Sequence, residues 1–590
     1  MLPHKSIESK LQAAVSAVLP GASVDSVLVR PCPDAKFGDY QCSALMQLAK
    51  ERKMNPRQLA TDVLAGLDVS EWCEKVEIAG AGFLNFRLKI AAFIQCLSSA
   101  ARGQHLFFNI ANHPKTAVVD FSSPNVAKPM HVGHIRSTFL GDSLARTLRL
   151  LGHKVVTDNH IGDWGTQFGK LLVGWKTILN RDALNADPIA EMERLYKTIN
   201  SEGDADPAVL EKARQELVKL QNGDEENLAI WREMIALSQV QFDTIYNRLG
   251  TKFDHTYGES FYNPQLKGVV SELVSRGIAR ESEGAICVFS NGTLPPKSDP
   301  FLKQEDGEWK PNPCLVQKTD GAANYATTDL ATLIFRIQTW NPSEIIYVTD
   351  GRQQLHFQQI FSVFKRWHPE SKVRLEHVWF GSINGEDNKP FKTRSGETVK
   401  LADLLDEAEE RALTVVQTKN PDLPAEQCRE IARVIGLGAV KYADLSPNRQ
   451  SDYIFSWDKM LALNGNTAPY LQYAYARIRS IFRRGVEAGN SVELDNGSTI
   501  LLNDPAEVAL ARQLLNFGIV LEAVAEEYRP NYLCNYLYEL AGYFARFYEN
   551  CPVLKAEPAE RASRLILCDL TAKVLKKGLN LLGIETLEQM

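Results

Sequence analysis

The sequence is short of several features at once, and each shortage excludes a class. No stretch reaches the roughly 18 consecutive apolar residues that a spanning helix needs, so no membrane partner is expected. The first segment, MLPHKSIESKLQAAVSAVLPG, is interrupted by Lys5, Glu8 and Lys10 and reads as an amphipathic helix, not as a signal peptide. The ten cysteines contain no Cys-x-x-Cys pair and no regular spacing. That excludes a zinc knuckle and a structural metal, and points to reduced, buried thiols in a cytoplasmic protein. The P-loop pattern, His-Glu-x-x-His and Gly-x-Ser-x-Gly are all missing. There is no internal repeat and no low-complexity tract. Charge is nearly balanced at −6, which argues against a nucleic-acid coat but leaves room for a shaped RNA gripped by local basic faces.

With 590 residues and roughly 100–200 residues per domain, about three to four domains are expected. Residues 1–110 alternate helix-like and strand-like pieces (SIESKLQAAVSAVL helical, DSVLVRPC a strand, DYQCSALMQLAKER helical, KVEIAGAGFLNFRLK two strands), a small α+β unit. From 116 the pattern changes. TAVVDFS is a strand buried on both faces, IRSTFLGDSLARTLRLLG a helix with Ile135, Phe139, Leu144, Leu148 and Leu151 on one stripe, and KVVTDN the next strand. SEIIYVTDG, QQLHFQQIFSVFKRW and LEHVWFG repeat the strand–helix–strand order. Two such halves predict a Rossmann-like, doubly wound parallel sheet over 111–400, interrupted by a charged helical insertion at about 185–310. A helical connector over 401–440 and an all-α bundle over 441–590 complete a multidomain α/β organisation.

One turn stands apart. After TAVVDFS the chain runs through SSPNVAKPMHVGH into a helix. Unpaired N–H groups at a helix start carry partial positive charge and form a natural phosphate cradle. Gly133 lets a ligand approach the backbone, and His131 and His134, three apart, are candidates to donate into one crevice. Either histidine alone reads more readily as a structural residue than as a ligand; the pair around a glycine at a strand-to-helix turn favours a site.

HVGH is similar to the His-x-Gly-His signature of class I aminoacyl-tRNA synthetases. FSSPNVAKPMHVGHIRST, NHIGDWGTQFG, YATTDLA, FKTRSG and NTAPYLQYAYARI together resemble the arginyl-tRNA synthetase family, over the whole length of the chain. The resemblance implies ATP-dependent ligation of L-arginine to tRNA(Arg) through an arginyl-adenylate, with Mg2+ accompanying ATP. The family also implies that tRNA is bound before arginine is activated. Such chemistry needs no side-chain nucleophile, because the arginine carboxylate is already ionised; positioning and charge stabilisation carry it.

By the same resemblance His131, Gly133 and His134 hold ATP, and Lys128 adds positive charge. Lys392 and Arg394 belong to a degenerate Lys-Met-Ser-Lys-Ser loop in which Thr393 stands where the second lysine would fall. A guanidinium is a fork of five donors and demands acceptors in matching geometry. Asp120, Ser123, Asn125, Tyr325, Asp329 and Gln353 map to that pocket, with His131 near the α-carboxylate; Tyr325 and Asp329 are four apart and share a helix face. GDWGTQFG, with Asp163, Trp164 and Gln167, reads either as a wall of the same cleft or as a packed turn. For RNA, Phe83 and Asn85 map to a segment that reads the tRNA elbow. Tyr470, Tyr473 and Arg477, with Arg479, Arg483, Arg484 and the tail ending in Met590, map to the anticodon contact. Without the resemblance, Phe83 and the tyrosine stripe read as core.

Three other readings stay open: a class I synthetase for another amino acid such as cysteine, a non-catalytic tRNA-binding homologue, and a pantothenate-synthetase-like ligase. The first lacks its Cys/His zinc ligands here, the second would have lost the signature residues, and the third needs no helical RNA domain. A monomer is expected.

Overall fold

The computed structural model describes residues 2–389, 391, 399–487 and 499–590. Two compact units divide the chain: one is made of 1–112 together with 459–590, the other of 113–458.

In the first unit the opening helix Pro3–Val18 buries Ile7, Leu11 and Val15 along one stripe. After it comes a four-stranded antiparallel sheet in the order Arg30–Pro31, Tyr40–Cys42, Phe83–Leu88, Cys73–Ala79. Two sequence expectations change here. DSVLVRPC contributes only the edge pair Arg30–Pro31, since Pro31 has no N–H to continue a ladder. DYQCSALMQLAKER is not one helix: Tyr40 and Cys42, both buried, pair with Phe86 and Leu84 as a strand, and the helix begins at Ala44. Alternation with period two across Tyr40–Cys42 outweighs the helical pattern of the residues after it.

The same unit contains the terminal helices Ala468–Glu487, Pro505–Leu515, Phe517–Glu527, Asn531–Asn550 and Pro558–Leu581. The stretch from Pro505 to Glu527 is apolar enough to resemble a membrane span, yet it is two helices broken at Asn516, with Leu510, Leu514, Phe517 and Leu521 in the core. Asp39 is the hub between the two parts of this unit: it accepts from the Leu88 N–H at 2.7 Å and from the Arg512 guanidinium. His4 and Lys5 face Glu522 nearby.

The second unit is built on a four-stranded, wholly parallel sheet in the spatial order Arg374–His377, Glu344–Tyr347, Thr116–Asp120, Lys154–Asp158. Val118, Val119, Ile345 and Ile346 have no exposed surface, as expected for strands covered on both faces. Strand order reverses between Thr116–Asp120 and Glu344–Tyr347, so the ligand crevice is expected at their carboxyl ends. The helix Gly133–Leu150 starts there.

Between Lys154–Asp158 and Glu344–Tyr347 come the helices Gln167–Ile178, Arg181–Ala186, Pro188–Ala205, Pro207–Gln221, Glu225–Leu249 and Glu259–Ser275. The sequence shows this helical content but hides the β-structure beyond Ser275: a three-stranded antiparallel sheet (Cys314–Gln317, Ala285–Val288, Ala279–Ser282) and a hairpin (Leu302–Glu305, Glu308–Pro311). Four-residue strands leave too little pattern to see. The helices Leu401–Lys419 and Ala425–Leu445, set apart in the sequence reading as a connector and the start of the bundle, pack within this unit. Buried Arg136 pairs with buried Asp444 at 3.1 Å, and Arg248 meets both Asp406 and Glu409 at 2.8 Å.

Candidate active site

The segment from Phe121 to His134 leaves the first parallel strand under strain. Ser122, Ser123 and Ala127 all take positive φ (75°, 50° and 60°), a conformation that costs on the order of 1 kcal/mol or more for each L residue. A hydrogen-bond web holds it. Ser122 N–H donates to Ser137 Oγ (2.8 Å), Ser123 N–H to Asn159 Oδ1 (3.0 Å) and Ala127 N–H to Ser238 Oγ (3.0 Å). Tyr246 joins Ser122 and Asn159 from the insertion. Asn125 packs on Gly162 of the NHIGDWG segment so closely that a Cβ there would lie 2.3 Å from Asn125 Oδ1.

At the turn itself the two histidine rings lie 4.1 Å apart. His131 Nδ1 accepts from the Gly133 N–H, and His134 Nδ1 accepts from the His131 N–H, each at 3.1 Å. Accepting at Nδ1 puts the proton of the neutral His131 ring on Nε2, whereas His134 Nδ1 faces both the His131 N–H and, at 3.3 Å, the His131 carbonyl oxygen. Burial, with His131 adding, lowers His134 to about 3. Burial and then the Lys128 charge also lower His131. The turn therefore presents two neutral imidazole rings at the positive end of the helix Gly133–Leu150, whose first amides are engaged within the turn itself. Residues 130–132 are bridged by the chain just after the FKTRSG segment: Val132 N–H donates to Val399 O (3.0 Å) and Leu401 N–H to Met130 O (2.9 Å). Lys392 and Arg394 themselves lie outside the described residues.

Of the residues expected to receive a guanidinium, Tyr325 and Asp329 sit on the helix Tyr325–Trp340 as predicted, Tyr325 being 61% exposed. Asp329 Oδ2 accepts from His356 Nε2 at 2.6 Å, and the His356 ring lies 4.8 Å from Tyr325. Gln353 is exposed in the short turn Gly351–Gln353, three residues before His356. Asn125, five residues after the end of the first parallel strand, is also exposed.

Asp120 departs from expectation. It is buried, and Arg336 donates to its Oδ2 and to Asp158 Oδ2, both at 2.7 Å. Its other oxygen takes the Ser123 hydroxyl at 3.2 Å. Both oxygens of this carboxylate are thus engaged within the protein. Fully buried Arg336 holds two acids there, and burial pushes Asp158 up, with Arg336 opposing and Asp120 adding to the shift.

A further acid, not singled out from the sequence, is coupled to Asp329. Glu259 opens the helix Glu259–Ser275, and burial, reinforced by Asp329 and then Asp163, raises its carboxyl to about 7. Asp163, from GDWGTQFG, anchors that helix start by accepting from Ser260 N–H (2.8 Å) and Ser260 Oγ (2.6 Å). Trp164 packs edge-on against Trp231. Glu259 in YGESFY looks like an ordinary first-turn acid; only its coupling to a carboxylate seventy residues later marks it. His356 was missed for the same reason.

In the other unit, Phe83 is half-buried and Asn85 is buried, with its Oδ1 lacking a hydrogen-bond partner. Asn85 thus sits in the sheet, not on an open edge. On Ala468–Glu487, Tyr473 is 47% exposed, Arg477 is exposed over the Tyr548 ring (5.3 Å), and Tyr470 meets Tyr538 edge-on (5.7 Å). Arg479 and Arg483, counted with this cationic face in the sequence reading, are instead engaged by the tail: Arg479 Nε donates to Glu588 Oε2 and Arg483 to Glu588 O, each at 2.8 Å. Met590 is half-buried two residues further on.

Three family models match the chain in series. They are "Arginyl tRNA synthetase N terminal domain" over residues 5–88, "tRNA synthetases class I (R), catalytic domain" over 97–457, and "DALR anticodon binding domain" over 471–590. The arginine–tRNA ligase of Hahella chejuensis is 46% identical over 590 residues, spanning 99% of each chain. That of Escherichia coli O157:H7 is 46% identical over 594 residues with the same coverage. Among solved structures, arginyl-tRNA synthetase from Plasmodium falciparum matches with a TM-score of 0.80 at 29% identity, over 100% of this chain and 99% of that one. The Thermus thermophilus arginyl-tRNA synthetase shares the fold at a TM-score of 0.82 and 24% identity, over both chains in full.

Proposed function

The chain belongs to the arginyl-tRNA synthetase family and ligates arginine to tRNA with ATP; on that premise we propose that the His131–His134 turn takes the ATP phosphates while Glu259, Asp329 and Tyr325 take the arginine side chain. The arginine carboxylate attacks the α-phosphate and pyrophosphate leaves; a terminal ribose hydroxyl of the tRNA then takes the arginyl group and AMP leaves. The two imidazoles and the positive end of the helix Gly133–Leu150 meet the charge that grows on the α-phosphate. Lys128 adds positive charge, as do Lys392 and Arg394 of the second signature. Magnesium arrives with ATP as part of the substrate and screens its phosphate charge.

The observation that carries the amino-acid assignment is the pairing of Glu259 with Asp329. An acid whose proton affinity is raised by burial and then by a second carboxylate is an unfavourable arrangement without a cation beside it. A guanidinium, planar and with five donors, fits between two carboxylates and beside a tyrosine ring. An ammonium offers no fork, so lysine would leave one carboxylate unpaired. Asn125 and Gln353 supply amide contacts, His131 lies toward the α-carboxylate, and Asp120 and Ser123 act from behind through Arg336 and the strained turn.

Residues 1–110 bind the tRNA elbow through Phe83 and the unsatisfied Asn85, and 441–590 bind the anticodon through Tyr470, Tyr473, Arg477 and Met590. The protein works as a monomer in the cytoplasm. ATP–pyrophosphate exchange with arginine, lysine or cysteine, with and without tRNA(Arg), tests this reading. Exchange confined to arginine supports the pocket, and its dependence on tRNA supports ordered binding. Exchange with lysine at a comparable rate would remove the two-carboxylate assignment.

A further inference from the structure

The insertion reaches the lysine beside the signature turn. Lys128 Nζ lies 5.3 Å from the centroid of the Tyr196 ring, and Lys170 Nζ lies 5.7 Å from the same centroid. Tyr196 stands on the helix Pro188–Ala205 and Lys170 on Gln167–Ile178. Lys170 is anchored, its Nζ donating to Asn200 Oδ1 at 2.5 Å, one turn along from Tyr196. Among the described residues Lys128 forms no ion pair.

A lysine that is to meet phosphates must be near, charged and unneutralised. A carboxylate would hold it but cancel its charge and take up its N–H donors. An aromatic face attracts the ammonium through the ring quadrupole and leaves all three N–H groups free. The anchored Lys170 repels a second ammonium and limits how far Lys128 slides along the ring. From this position the Lys128 charge already reaches the signature turn, where it depresses the protonation of His131.

We propose that Tyr196 is a positioning residue, contributed by the insertion, that holds the Lys128 ammonium beside the His131–Gly133–His134 turn. The proposal rests on the reading that Lys128 acts on ATP.

The test is ATP–pyrophosphate exchange by the full-length chain with arginine and tRNA(Arg), for Y196F, Y196L, K128M and the double variant Y196L/K128M. Y196L is expected to lower kcat about threefold to tenfold with the KM for arginine unchanged. Y196F, which keeps the ring, should retain at least about half the rate, and Y196L should cost nothing further in the K128M background. Y196Q, without a ring, is read in the same way should Y196L fail to fold. An equal loss from Y196L with and without Lys128 overturns the proposal, as does an unimpaired Y196L beside an impaired K128M. An unimpaired K128M overturns the reading of Lys128 itself.

Discussion

Asp329 and His356, 27 residues apart with a strand of the parallel sheet between them, share a 2.6 Å hydrogen bond from Nε2 to Oδ2. The bond fixes one carboxylate oxygen and leaves the second for a ligand. Replacing His356 with Phe keeps an aromatic ring against Tyr325 but removes the donor. The KM for arginine should rise about tenfold, the equivalent of one hydrogen bond to a charged group, while the KM for ATP stays constant. Steady-state exchange kinetics measure both; an unchanged arginine KM would show that Asp329 orients without help.

Glu259 makes arginine binding pH-dependent. With its carboxyl near 7 in the free protein, the group is protonated below that pH and cannot receive a guanidinium. Arginine KM should be flat above about pH 8 and rise about tenfold for each unit below 7, and E259Q should abolish the slope. His134, near 3, stays neutral throughout and adds no limb.

The same shift has a stability consequence. A carboxyl raised by folding favours the native state at low pH, and that advantage disappears as pH climbs from the ordinary glutamate range to about 7. Without arginine, E259Q should therefore be more stable than the parent at pH 8, by at most about 3 kcal/mol, and equal to it at pH 4. Urea midpoints at the two pH values decide it.

At Gly133 an added Cβ would lie 2.8 Å from the His131 ring. G133A displaces that ring while favouring the helix, so kcat for exchange should fall about tenfold to a hundredfold, the usual weight of one misplaced donor, with no drop in Tm. A fall in Tm matching the loss of rate would point to misfolding instead.

Arg336 is fully buried between two acids. R336L leaves Asp120 and Asp158 buried without their cation and should destabilise the catalytic unit by about 3–5 kcal/mol. The double change D120N/D158N added to R336L should recover part of that loss. Denaturant unfolding of the three proteins gives the comparison.

On the RNA side, Y473A removes a half-exposed ring with little effect on Tm. Its KM for tRNA(Arg) should rise about tenfold, as for one lost base stack, and its KM for arginine should not change. An unaltered tRNA KM would move the anticodon contact to another face.

Much of the fold was legible because long elements carry long patterns. Thr116–Asp120, Gly133–Leu150 and Gln354–Trp367 announce themselves by continuous or 3.6-residue apolar spacing. Tyr40–Cys42 and Ala285–Val288 do not, since three or four residues fit either period. In the site, His131, Gly133 and His134 were legible as a local motif. Glu259, His356 and Tyr196 were invisible because their meaning lies in partners from other elements, Asp329 in two cases and Lys128 in the third. The partner of Asp120 was hidden in the same way: nothing near it in sequence reveals that Arg336, 216 positions later, bonds its carboxylate.

The salt link between Asp39 and Arg512 spans 473 positions, and it joins the two ends of a unit whose parts are separated by residues 113–458. At the pace of translation, about 5–20 residues per second, the N-terminal segment waits for tens of seconds before its partner helices emerge. During that interval Asp39 has no guanidinium, and the apolar surface that later meets the terminal helices faces solvent or chaperones. The catalytic unit, continuous in sequence, has meanwhile everything it needs to close. The order of synthesis is thus written into the architecture: the two parts of the module that carries both Phe83 and Tyr473 can meet only after residues 113–458 have been made.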